Sequence, residues 1–108
     1  MDDGVLARLA RTIHERRGHG ADTSYTRQLL DAGPERCARK FGEEAVEAVI
    51  AGVGTDAQAL KAEAADVLYH LLVLLEARGV LFADVLQTLE AREISSGLQE
   101  KAQRHPAG

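Results

Sequence analysis

The run Ala64-Ala65-Asp66-Val67-Leu68-Tyr69-His70-Leu71-Leu72-Val73-Leu74-Leu75 constrains this chain more than any other stretch. Wound as an α-helix, it places apolar side chains on almost every side of the axis, so the helix is expected to be buried nearly all round. It does not suit a bilayer: the longest apolar stretch, Val67 to Leu75, is interrupted by His70 and falls well short of about 20 residues. Asp66 is the only formal charge between Glu63 and Glu76. A carboxylate buried there must be protonated, paired or bound to a metal, because an isolated charge is too costly to desolvate. Glu63, three residues earlier, projects from the same side, and no Lys or Arg follows on this helix until Arg78. A divalent cation would answer both needs.

The rest of the chain supplies the surrounding helices. Leu6, Leu9, Ala10 and Ile13 recur at helical spacing between Val5 and Arg17, and Gly18-His19-Gly20 ends that pattern. Tyr25 to Asp31 forms a short helix closed by Ala32-Gly33. Pro34 suits the first turn of the next helix, where its missing N–H is not needed. That helix runs to about Val53, with Phe41, Ala45, Val46, Val49 and Ile50 as its apolar stripe. Gly52-Val53-Gly54 breaks it, and Thr55 or Asp56 caps the helix that carries the apolar run, which extends to Ala77 or Arg78 and stops at Gly79. A last long helix spans about Leu81 to Arg92, with Phe82, Val85, Leu86 and Leu89 on one face. Ser95-Ser96-Gly97 is a joint before an amphipathic tail, Leu98 to Arg104. Aromatics are 4 % of the residues and the apolar supply is mostly Ala, Leu and Val, which favours packed helices over a β-sandwich. The fold class expected is all-α: an antiparallel bundle of about four main helices, without strands, in one domain over residues 1–108 with a tail from about 95. A domain of this size buries a limited share of its surface, so self-association would help to stabilise it.

The net charge of −4 is the wrong balance for a duplex nucleic-acid binder. One cysteine, Cys37, makes no internal disulfide and is read as a small apolar residue. Met1-Asp2-Asp3-Gly4 is acidic and leads into no apolar run of signal-peptide length. These features set the expectation of a soluble, cytoplasmic protein with no nucleic-acid or membrane partner.

The helix from Pro34 carries Glu43, Glu44 and Glu47. If it runs antiparallel to the next helix through the Gly52–Thr55 turn, Glu44-x-x-Glu47 and Glu63-x-x-Asp66 face each other. Four converging carboxylates make a hard, oxygen-only site suited to Mg²⁺, with Mn²⁺ as the alternative ion. Magnesium keeps several waters and accepts phosphate oxygens, which points to a phosphorylated substrate. A solvated helix face, with Arg39–Glu43 and Lys40–Glu44 as ion pairs, accounts for the glutamates of this helix but gives Glu63 and Asp66 no role. Lys40, Lys101 and Arg104 are candidates for phosphate contacts. His70, one turn beyond Asp66, either contacts the substrate or is a core histidine bonded to a backbone carbonyl.

The Glu-x-x-Glu and Glu-x-x-Asp pairs resemble the metal signature of the MazG-like all-α nucleotide pyrophosphohydrolases. Further segments narrow the resemblance: Ser24-Tyr25-Thr26 before Leu29-Leu30-x-x-Gly33-Pro34, then Lys40-x-Gly42-Glu43-Glu44-Ala45-x-Glu47, then Glu63-Ala64-Ala65-Asp66-x-Leu68-Tyr69-His70, then Ser96-Gly97-Leu98-x-Glu100-Lys101-Ala102-x-Arg104. In this order they resemble the phosphoribosyl-ATP pyrophosphohydrolase family of histidine biosynthesis. The resemblance implies Mg²⁺-dependent hydrolysis of phosphoribosyl-ATP to phosphoribosyl-AMP and pyrophosphate by a homodimer or higher homo-oligomer. On that reading Glu44, Glu47, Glu63 and Asp66 hold the metal. Glu43 positions or deprotonates the attacking water, or else pairs with Arg39, and Lys101 and Arg104 reach phosphate. The family also occurs fused to a cyclohydrolase, for which 108 residues leave no room, so that activity is expected on a separate chain. Two rivals use the same features differently: a house-cleaning nucleoside triphosphate pyrophosphohydrolase with the same acidic site, and a non-enzymatic helical interaction module.

Overall fold

A computed structural model describes residues 4–18 and 24–95 of the chain. These form five helices: α1 (Gly4–Gly18), α2 (Tyr25–Ala32), α3 (Pro34–Gly52), α4 (Ala57–Ala77) and α5 (Phe82–Ser95), with no strand among the described residues. None of them is long and apolar enough to cross a membrane. The bundle is the expected one, with the short α2 added to four longer helices.

Local chemistry sets each boundary. The Ser24 hydroxyl accepts from the Arg27 N–H at 3.2 Å and starts α2. Gly33 ends it at φ 98°, a backbone angle that favours glycine, and places Pro34 in the first turn of α3. A single residue therefore turns the chain from one helix into the next. The link from α3 to α4 is four residues long, which forces the two helices antiparallel. Asp56 closes that link, its Oδ1 accepting from the N–H groups of Gln58 at 3.0 Å and Ala59 at 3.3 Å. At the far end of α4, the Val80 N–H donates to the Leu75 carbonyl at 2.9 Å and the Gly79 N–H to that of Glu76 at 3.0 Å. Gly79, at φ 71°, makes this double closure possible.

The Asp56 cap holds the base of the α3–α4 hairpin, so Asp56→Ala should cost about 1 kcal/mol. For a chain of this size that lowers the melting temperature by about 5 °C. Asp56→Asn, which keeps an acceptor oxygen, should melt close to the parent in the same thermal scan.

The core lies where α1 and α2 meet the start of α3 and the second half of α4. Ile13, Leu29, Leu30, Cys37, Leu72 and Val73 are buried there, with Leu6, Leu9, Ala10, Tyr69 and Phe82 packed around them. The Cys37 thiol donates to the Leu29 carbonyl at 3.2 Å, and burial pushes its pKa up, so it behaves as a small apolar group. Arg17 Nη1 donates to the carbonyl (2.5 Å) and the carboxylate (3.0 Å) of Glu76, tying α1 across α4. His14 Nδ1 lies 3.0 Å from the same carboxylate.

One expectation is overturned. The chain does not bury α4 all round: Leu60, Leu68 and Asp66 are exposed. On α3, Phe41 and Ala45 of the expected stripe are half-buried, but Val46, Val49 and Ile50 face outward with Val53. On α5, Leu86 and Leu89 are likewise exposed. Within one chain, α1, α2 and α3 cover only part of the circumference of α4. The apolar pattern is real, but these residues do not supply a neighbour for all of it.

Candidate metal centre

The α3–α4 hairpin decides which acids meet. One carboxylate oxygen each from Glu44, Glu63 and Asp66 come together within 4.8 Å of one another. The Glu44 side chain is 18 % exposed, and Asp66 opens toward solvent. Contrary to the expectation from the apolar run, Asp66 is not a buried charge seeking neutralisation. The hairpin instead holds three carboxylates close enough to repel one another, whether or not the groove is dry.

The electrostatics register that crowding. Partial desolvation, then the charges of Glu47, Asp66 and Glu44, raise the pKa of Glu63 above the usual carboxylate range. Glu47 is exposed and lies outside the three-oxygen cluster, but its charge is felt within it. Lys40 is the basic group at its edge, its Nζ 3.5 Å from Glu43 Oε1 and 3.5 Å from Glu44 Oε2. Glu43 is therefore drawn to Lys40 on the exposed side of α3, about 100° round the helix from Glu44. The pKa of Lys40 is raised, first by Tyr25 as its phenol ionises; burial opposes this, and Glu43 and Glu44 each add a smaller upward push. Three hard oxygen donors with a surplus of negative charge fit Mg²⁺ or Mn²⁺ well, leaving positions for water and phosphate oxygens.

His70 is brought beneath the site, not into it. It is 6 % exposed, and both ring nitrogens are used. Nδ1 lies 2.8 Å from the Asp66 carbonyl, which can only accept, so Nδ1 carries the proton. Nε2 is hydrogen-bonded to the Tyr25 hydroxyl at 3.2 Å. Beside this pair the Thr26 and Tyr69 hydroxyls are hydrogen-bonded to each other. The Tyr69 ring packs edge-on against His70 with centroids 4.9 Å apart. Of the two readings left open for His70, the geometry is that of the core histidine bonded to a backbone carbonyl. Sequence reasoning missed Tyr25 and Thr26 as its partners. The available signal was the polar pair Tyr69-His70 inside an apolar helix, since buried polar groups need hydrogen-bond partners. Lys101 and Arg104 lie outside the described residues.

Residues 6–93 match the family model for phosphoribosyl-ATP pyrophosphohydrolase. A protein of Cereibacter sphaeroides called phosphoribosyl-ATP pyrophosphatase is 59 % identical over 100 residues, covering 93 % of this chain and 97 % of the relative. Proteins of the same name from Dinoroseobacter shibae and Paracoccus denitrificans are 60 % and 57 % identical, covering 93 % and 92 % of this chain and 98 % and 92 % of their own lengths. Because the match runs from α1 into α5 and takes in both helices of the acidic hairpin, the chain belongs to the phosphoribosyl-ATP pyrophosphohydrolase family.

Proposed function

We propose that this chain hydrolyses phosphoribosyl-ATP to phosphoribosyl-AMP and pyrophosphate, using Mg²⁺ or Mn²⁺, in a cytoplasmic setting. The observation that carries the reading is the meeting of Glu44, Glu63 and Asp66 oxygens within 4.8 Å on a hairpin that the family match spans. These three residues hold the cation, and Glu47, whose charge reaches Glu63, joins them as the fourth carboxylate. A divalent ion bound there supplies positive charge to the triphosphate oxygens and to the leaving pyrophosphate. Lys40, 3.5 Å from Glu44, is close enough to the cluster to take a phosphate oxygen. Glu43, on the solvent side, orients the attacking water and accepts its proton. Lys101 and Arg104 enter the proposal as phosphate contacts on the strength of the sequence resemblance. The working unit is proposed to be a homodimer or larger assembly joined through the outward apolar face of α3 and α4.

The test is direct. Purified protein with phosphoribosyl-ATP and Mg²⁺ should release one pyrophosphate per phosphoribosyl-AMP, and EDTA should stop it. A panel of deoxy and non-standard nucleoside triphosphates should give little. Equal rates on that panel, or none on phosphoribosyl-ATP, would overturn the assignment. Asp66→Asn should abolish turnover through lost metal affinity. Glu43→Gln should lower turnover by about a hundredfold while Mn²⁺ affinity stays unchanged.

A further inference from the structure

The helix α4 poses a problem of aim. Its apolar side chains surround the axis, so the hydrophobic pattern alone does not single out one rotation of the helix. A shift of one residue, about 100° of rotation, would carry Glu63 and Asp66 away from Glu44. Two neighbouring polar pairs remove that freedom. Consecutive residues on α2, Tyr25 and Thr26, bond consecutive residues on α4, His70 and Tyr69. Hydrogen bonds are directional, and Thr26 and His70 are both buried, so any other rotation would leave polar groups without partners in the core. The anchor on α2 is firm, held by the Ser24 cap and by the buried Leu29 and Leu30. Through its second nitrogen His70 reaches the peptide carbonyl of Asp66, so the chain of bonds ends on the backbone of a proposed metal ligand.

We infer that Tyr25 and His70, with Thr26 and Tyr69 beside them, are positioning residues that set the rotation of α4 and thereby aim Glu63 and Asp66 at Glu44. The inference rests on the metal reading above and deepens it: the Ser24-Tyr25-Thr26 segment serves the cation site from one turn further along the same face of α4. The buried polar pairs exchange generic packing for one orientation, a role that a single buried polar residue also plays in fixing the register of coiled coils.

The test uses Mn²⁺ on the substrate-free protein, followed by electron paramagnetic resonance or calorimetry. Tyr25→Phe/His70→Phe removes both ends of one pair, so no buried polar group is stranded and the melting temperature should hold. Mn²⁺ affinity should nevertheless fall by about tenfold, the lower end for residues that orient ligands without touching the metal. Turnover should fall at limiting Mn²⁺ and recover as Mn²⁺ is raised, a split that general loss of fold does not produce. Thr26→Val/Tyr69→Phe should behave likewise. If either double variant fails to fold, Tyr25→Phe alone, at a half-exposed position, decides by the same Mn²⁺ measurement. Parental affinity in the variants, with the parent binding Mn²⁺, would overturn this inference alone. A parent that takes up no Mn²⁺ would overturn the metal reading and this inference with it.

Discussion

Replacing Glu63 by glutamine should produce a chain that melts higher than the parent in EDTA yet releases no pyrophosphate. Partial desolvation, then Glu47, Asp66 and Glu44, raise the pKa of Glu63 in the folded chain. The folded state therefore holds this proton more tightly than the unfolded state does. By linkage, Glu63 favours folding at pH values below the ordinary carboxylate range, and that contribution is lost as pH rises through the raised pKa. At neutral pH the ionised group opposes folding, and the amide removes the opposition. The group is partly exposed, so the gain should be small and should shrink further in high salt. Magnesium reverses the order, because an ion that binds only the folded state stabilises it. The parent should rise on adding Mg²⁺ at pH 7.5 and respond less as pH is lowered, since protons compete with the metal at Glu63. The variant should rise little at either pH. Thermal scans with Mg²⁺ and EDTA, beside the pyrophosphate assay, check all of this. A variant that melts below the parent in EDTA, or that keeps near-parental turnover, would remove Glu63 from the site.

The helices were legible because their boundaries obey local rules. Pro34, Gly33, Asp56 and Gly79 each act within a few residues of their own position, and the structure places each where its chemistry requires. The acidic pairs were legible for the same reason: i, i+3 spacing puts Glu63 and Asp66 on one side of a helix whatever surrounds it. What surrounds it was not legible. Periodicity says which sides of α4 are apolar but not which chain covers them, and so Asp66 was expected to be buried and is exposed. The Tyr25–His70 bond spans 45 residues of sequence, and no spacing rule reaches that far. Glu43 and Glu44 are adjacent in the chain and both reach Lys40, and only the hairpin geometry brings Glu44 into the cluster.

Ile50→Glu should halve the particle. In a single chain Val49, Ile50 and Val53 are 65 %, 60 % and 84 % exposed, and Leu60 and Leu68 extend the apolar surface onto α4. A second copy is the occupant proposed for that face, because a two-fold interface brings the same apolar stripe from both sides. The same symmetry places every substitution in the interface twice. Losing the burial of one isoleucine costs about 2 kcal/mol, so two copies forfeit about 4 kcal/mol even before the new charge is desolvated. That alone weakens association by about a thousandfold. Analytical ultracentrifugation at micromolar concentration should find the parent at twice 11.6 kDa or more and the variant at 11.6 kDa. Turnover should fall with association, since the face runs along the two helices that carry Glu44, Glu63 and Asp66. A parent that sediments as a single chain, or a variant that stays associated, would mean that something other than a second copy covers these residues.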